Sequence, residues 1–153
     1  MKSGELRIDE NGKIVIAGEL FDLHDTDPFV VSFEGYLDTG CIHDMVVPID
    51  LVNVVCARVE SEHETSGGAG ATTIQGTMRR VNVRFSGFEK QNIRAFVPNN
   101  PSKRTLIGVG LLQKISAFLV IDYCRGRTEG SILTTDRNIP LLITVINPKD
   151  IKI

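Results

Sequence analysis

Apolar and polar positions alternate with a period of two over much of this chain, the spacing of half-buried strands. Leu6 and Ile8 alternate with polar and charged neighbours, and Ile14, Val15 and Ile16 resume after Glu10-Asn11-Gly12-Lys13. Asn-Gly between apolar runs predicts a hairpin. Gly18 to Leu23 is a candidate extension of the second strand, and His24 to Pro28 reads as a loop. Phe29 to Leu37, rich in Val and Phe, predicts a strand buried on at least one face, which Asp38-Thr39-Gly40 ends. Met45 to Pro48 is a short apolar strand, Ile49 to Val52 a candidate helical turn, and Val54 to Val59 a strand again. The longest strand signal spans Thr72 to Phe85, where Val81, Val83 and Phe85 alternate with Arg80, Asn82 and Arg84. Ser86-Gly87 turns the chain, and Ile93, Ala95 and Val97 supply a partner strand. After the loop Pro98 to Ser102, Thr105 to Gly110 leads into a short helix with Leu111, Leu112 and Ile115 on one face and Gly110 at its N-cap. Phe118 to Tyr123 is a strand, Arg125-Gly126-Arg127 a turn, Ser131 to Leu133 a candidate return, and Leu141 to Ile146 a strongly apolar C-terminal strand, with Ile151 and Ile153 beyond Pro148. Many short strands and at most one clear helix make the class all-β.

One segment fits neither period. Glu60-Ser61-Glu62-His63-Glu64-Thr65-Ser66-Gly67-Gly68-Ala69-Gly70-Ala71 is polar, then small and glycine-rich. It buries little apolar area, which suits a long surface loop. It also suits the tip of a hairpin folding over a cleft, where glycines let the backbone approach a ligand closely.

The 153 residues predict one domain, 1–153, with a single core. Composition is ordinary globular, at 42% hydrophobic and 24% charged, so disorder is not the default. Net charge is −2 with no long basic run, which argues against nucleic acid as a partner. No apolar run approaches the roughly 20 residues of a membrane span, and the N-terminus lacks the apolar stretch of a signal peptide. The expectation is a cytoplasmic protein with no membrane partner. Cys41, Cys56 and Cys124 are widely spaced and odd in number, which predicts reduced, mostly buried thiols.

Candidate chemistry concentrates at Asp38-Thr39-Gly40, where a short acid ends a buried strand. Burying a carboxylate is costly unless it is paired or shares a proton, so an acid at the mouth of a core is a candidate for chemistry. A bland alternative is an Asp-x-Gly turn. Cys41 and His43 allow a thiol nucleophile with its base, but no orienting Asn or Asp stands at a recognisable spacing. His24, His43 and His63 are 19 and 20 residues apart and match no compact metal site. Arg79-Arg80 and Arg84 fit a solvated strand face.

Three elements together resemble the retropepsin-like aspartic proteases, most strongly over 29–123. They are Leu37-Asp38-Thr39-Gly40-Cys41 followed by Val46-Val47-Pro48, a hairpin with a tip at Gly67-Gly68-Ala69-Gly70, and Leu106-Ile107-Gly108 with Leu111-Leu112 and a strand to Asp122-Tyr123. The resemblance implies a closed acid-protease β-barrel with a flap hairpin and one short helix. It implies an aspartic endopeptidase without metal or organic cofactor, in which Asp38 activates a water, Thr39 bonds across a twofold axis and Gly40 leaves room for substrate. Because the chain carries a single Asp-Thr-Gly, the resemblance implies a homodimer acting on a peptide or protein. Gly108 is expected to pack under the motif loop with Ile107 bracing it, and Gly67, Gly68, Ala69 and Gly70 to form the flap tip. The alternative is a protease-fold binding or dimerisation module with little or no catalysis.

The pattern also departs from that family. Many retroviral members carry an Asp two residues after the motif glycine and an Arg directly after the second glycine. Ile42 and Val109 occupy those positions here. An apolar contact in the substrate cleft is expected to replace the ion pair. In the retroviral enzymes the chain ends build a dimer sheet. Leu141 to Ile146 is open to that role or to capping a barrel edge.

Overall fold

The computed structural model describes residues 2–22, 30–67, 72–85, 88–101, 104–115, 117–121, 129–134 and 143–144. The predicted loop His24 to Pro28, the turns at Ser86-Gly87 and Arg125-Gly126-Arg127, the tip Gly68-Ala69-Gly70, Asp122-Tyr123, Cys124, Leu141, Ile146, Ile151 and Ile153 lie outside the described residues. Within them the order is β1 (Lys2–Ile8), β2 (Ile14–Phe21), β3 (Val30–Asp38), β4 (Met45–Val46), α1 (Ile49–Val54), β5 (Val59–Gly67), β6 (Thr72–Phe85), β7 (Gln91–Pro98), β8 (Thr105–Gly108), α2 (Val109–Lys114), β9 (Ala117–Ile121), β10 (Glu129–Thr134) and β11 (Ile143–Thr144). The protein is all-β, and the described residues include two short helices, one more than expected.

The Asn-Gly signal forms its hairpin. Gly12 takes φ +76°, and the Asp9 carboxylate accepts from the Asn11 and Lys13 N–H groups at 2.9 and 2.8 Å. β1 and β2 then pair antiparallel, Leu6 opposite Ile16. Strands β2, β3, β8, β4, β7 and β6 lie side by side in that order. The barrel closes because β2 also pairs with β6, Gly18 opposite Phe85. Val81, Val83 and Phe85 point inward at 1–2% exposure, as the alternation requires. Ile16, Leu20, Met45, Val52, Ile93, Ile107, Leu111 and Leu112 fill the rest of the core.

The polar run after Val59 is a strand rather than a loop. β5 pairs antiparallel with β6 down to Gly67 opposite Thr72, with an irregularity between Val59 and Ser61. It is an edge strand, where charged residues such as Glu60 and Glu62 are what a sheet uses to stay unpaired with strangers. The predicted strand Val54 to Val59 is not formed, since Val54 ends α1. Cys56, at φ +51°, donates its N–H to the Asn53 carbonyl, and Ala57 donates to the Val52 carbonyl, closing a Schellman cap. This places Cys56 on the surface, contrary to the expected buried thiol.

Beyond β1 the sheet continues into β10, β9 and β11. β10 pairs with β1 along its length, Lys2 opposite Thr134 to Arg7 opposite Glu129, and β11 pairs parallel with β9. Of the two roles open to the apolar tail, the described part shows edge pairing within its own chain. Among the described residues no helix is long and apolar enough to cross a membrane.

Candidate active site

Asp38 is the last residue of β3, and parallel pairing sets it opposite Gly108, the last residue of β8. Two strands therefore leave the sheet at one level, one into the Thr39-Gly40 turn and the other into α2. The turn is made by the motif itself. The Gly40 N–H donates to Asp38 Oδ1 at 2.9 Å, and the Cys41 N–H donates to the Asp38 carbonyl at 3.1 Å. An Asx turn of this kind fixes the carboxylate relative to the backbone.

The underside of the loop is closed. Gly108 sits so tightly beneath it that an added Cβ would collide with the His43 carbonyl oxygen and lie 3.1 Å from the Cys41 carbonyl oxygen. The Gly108 N–H donates to the Asp44 carbonyl at 2.9 Å. Ile107 is fully buried, and its Cδ1 atom occupies the space a Cβ on Gly35 would need, at 2.7 Å. Gly108 also serves as the N-cap of α2, a role expected of Gly110. The Asp44 carboxylate pairs with the Lys114 ammonium, tying the loop to the end of α2.

Cys41 and His43 are close in the chain but not paired as nucleophile and base. The thiol donates to the backbone carbonyl of His43 at 3.4 Å, while the His43 ring stacks on Phe96 at 4.9 Å. Burial pushes the Cys41 thiol up, and the Asp38 and Asp44 carboxylates push it the same way. A thiol held neutral in this way is a poor nucleophile.

The upper side is open. Asp38 borders a pocket of about 620 Å³ with Tyr36, Leu37, Val46, Leu106 and Ile74 of β6. Thr39 and Gly40 are exposed, Ile42 is 82% exposed, and Val109, at the start of α2, is half-buried. Gly67 closes the described part of β5. Lys13 and Arg104 also line the pocket. They and the Asp44–Lys114 pair escaped the sequence reading, because no local pattern joins residues this far apart in the chain. Among the described residues no cluster of three His, Cys, Asp or Glu is placed to hold a metal.

A closed six-stranded barrel whose Asp-Thr-Gly turn rests on the glycine of a second motif defines the acid-protease class of fold. The chain is similar to the crystal structure of a retropepsin-like aspartic protease from Rickettsia conorii, with a TM-score of 0.59 and 15% identity over 85% of this chain and 89% of that one. It is also similar to the EIAV protease solved with an inhibitor, with a TM-score of 0.40 and 18% identity over 65% of this chain and 82% of that one. No protein-family model and no curated protein matches the sequence. The chain has a retropepsin-like fold.

Proposed function

We propose that the protein is an aspartic endopeptidase that hydrolyses peptide bonds as a homodimer, residues 1–153 acting as one unit. One observation carries the reading: Asp38, held by the Gly40 N–H at 2.9 Å, borders an open pocket of about 620 Å³ in a retropepsin-like barrel. Peptide hydrolysis needs a base to take a proton from water and an acid to protonate the leaving nitrogen. One carboxylate cannot be both in the same step. Two carboxylates in close contact share a proton, which makes one the base and the other the acid, the arrangement known from aspartic proteases generally. The sequence holds one Asp-Thr-Gly, so the second acid comes from Asp38 of a second copy across a twofold axis.

In this reading the exposed Thr39 bonds across the axis, and Gly40 leaves space for water and substrate. Ile42 and Val109 form apolar contacts along the cleft, while Ile107 and Gly108 hold the motif loop from below. The β5–β6 hairpin, with its tip at Gly67, Gly68, Ala69 and Gly70, acts as a flap that excludes water. An extended peptide pairs with the flap by strand addition. The chemistry requires no metal or organic cofactor.

The test is cleavage of a denatured protein between about pH 3 and 7 by wild type and by Asp38→Asn, alongside gel filtration. The expected result is a dimer whose cleavage rate falls by about 10²–10⁴-fold in the variant, with folding and dimerisation unchanged. Absence of wild-type cleavage across that range favours a protease-fold binding module, and a strict monomer that still cleaves removes the shared dyad.

A further inference from the structure

We propose that the subsite beside Asp38 selects an acidic side chain of the substrate, with Lys13 and Arg104 as the specificity-determining residues. The inference rests on the reading above that a peptide occupies this cleft. Among the described lining residues three carry charge: Asp38, which is half-buried, and Lys13 and Arg104, which are exposed. Three separate segments bring them together. Lys13 ends the Asn-Gly turn and enters β2, Arg104 immediately precedes β8, and Asp38 ends β3.

Lys13 is positioned rather than merely nearby. Its Nζ atom lies 5.5 Å from the centroid of the Tyr36 ring, a cation–π contact. Tyr36 is two residues before Asp38 on β3, so both side chains stand on one face of the strand. Arg104, just before β8, and Leu106, within it, are likewise two apart, and both line the pocket. Apart from Tyr36 and Asn100 the uncharged lining is apolar, with Leu37, Val46, Ile74, Leu106 and two prolines. A side chain with an aliphatic stem and a carboxylate end fits that composition, the stem against the apolar lining and the carboxylate toward the two exposed cations. A carboxylate near Asp38 is otherwise repelled, and the two cations offset that repulsion. A lysine or arginine side chain meets two like charges instead. Complementary charge of this kind separates partners more than it tightens binding.

The experiment compares peptides that differ at one position as Glu, Gln or Lys. It is run above about pH 5 so that the substrate carboxylate is ionised, and at low and high salt. For wild type, kcat/KM is expected to favour Glu over Lys by about tenfold, a preference that shrinks in high salt because both cations are exposed. Lys13→Glu with Arg104→Glu is expected to reverse the order, and Lys13→Arg to keep it. Melting temperatures of the variants separate misfolding from altered choice. Equal, Asp38-dependent cleavage of all three peptides overturns the acidic subsite and leaves the protease reading standing. If no peptide is cleaved, the protease reading fails instead, and binding of the same peptides to Asp38→Asn decides the subsite. Tighter binding of Glu, reversed in the double variant, supports it. Equal binding or none overturns it.

Discussion

The two sides of the motif loop obey different rules. Beneath it, Gly108 has no room for a methyl group, because the His43 and Cys41 carbonyls already occupy the space. Above it, Gly40 has room, with nothing nearer to an added Cβ than Asp38 Oδ1 at 3.4 Å, an ordinary contact. Its φ is not in the left-handed region either. One glycine is required by the chain's own packing. Among the described residues nothing requires the other, so in the proposed enzyme its constraint comes from what binds there, a substrate, a water or a second copy. The lower side of the proposed enzyme serves stability and the upper side function.

The largest expected effect tests that division directly. Gly108→Ala forces the His43 carbonyl of the motif loop away from the end of β8 and should cost about 3 kcal/mol or more, read by urea denaturation. Gly40→Ala should stay within about 0.5 kcal/mol of wild type, as an exposed substitution away from the core does, yet lose most cleavage. Equal loss of stability in both variants would erase the distinction.

Much of the closed side was legible in the sequence. β6 begins at Thr72 and ends at Phe85, where its period of two predicts, since both faces of a long strand repeat the same signal. Asp38 and Gly108 were legible through motifs whose residue types have little freedom. The segment after Pro48 was not. Val54, Val55 and Val59 carry β-branched side chains, yet the chain turns through a helix cap there, and the residue in the left-handed position is Cys56 rather than a glycine. The usual signal for that cap is absent, so the strand expectation had no competitor. Cys56 is thus the converse of Gly40: the backbone calls for glycine where the sequence has none. Cys56→Gly should stabilise the protein by about 0.5–1 kcal/mol, because the left-handed penalty of a side chain exceeds the entropy that glycine adds. Denaturant midpoints would check this, with the m-value unchanged. An unchanged midpoint would mean that the cap tolerates cysteine without strain.

The pairs that fasten the loop were illegible for another reason. Asp44 and Lys114 are 70 residues apart, and the pairing of β4 with β8, Met45 opposite Ile107, brings their segments together. The pair is half-exposed on the Lys114 side, so solvent and salt weaken it. A double-mutant cycle with Asp44→Asn and Lys114→Gln should give a coupling of about 0.5 kcal/mol. The loop stays threaded over Gly108 without that pair, so kcat/KM should change less in either single variant than in Gly40→Ala. A larger activity loss in Lys114→Gln would move this pair from the structural side to the functional one.

The smallest effect concerns the root of the β5–β6 hairpin. Glu60 receives hydrogen bonds from Arg80 Nε at 2.8 Å and Arg94 Nε at 2.9 Å, joining β5 to β6 and β7 across their outer face. The Arg80 hydrogen bond, with that of Arg94 and the charge of both, holds the Glu60 carboxyl below its ordinary range. A carboxylate depressed in the folded state adds stability that is complete above its unfolded pKa and lost as pH falls through the folded one. Wild type should therefore exceed Glu60→Gln in melting temperature at about pH 6, and the gap should close toward about pH 3 as Glu60 takes up its proton. High salt should narrow the gap at pH 6 as well, since the cluster is exposed. A gap that stays constant from pH 6 to pH 3 would assign the loss to packing of the longer side chains rather than to charge. The hairpin root would then act as Gly108 does, through packing that does not depend on ionisation.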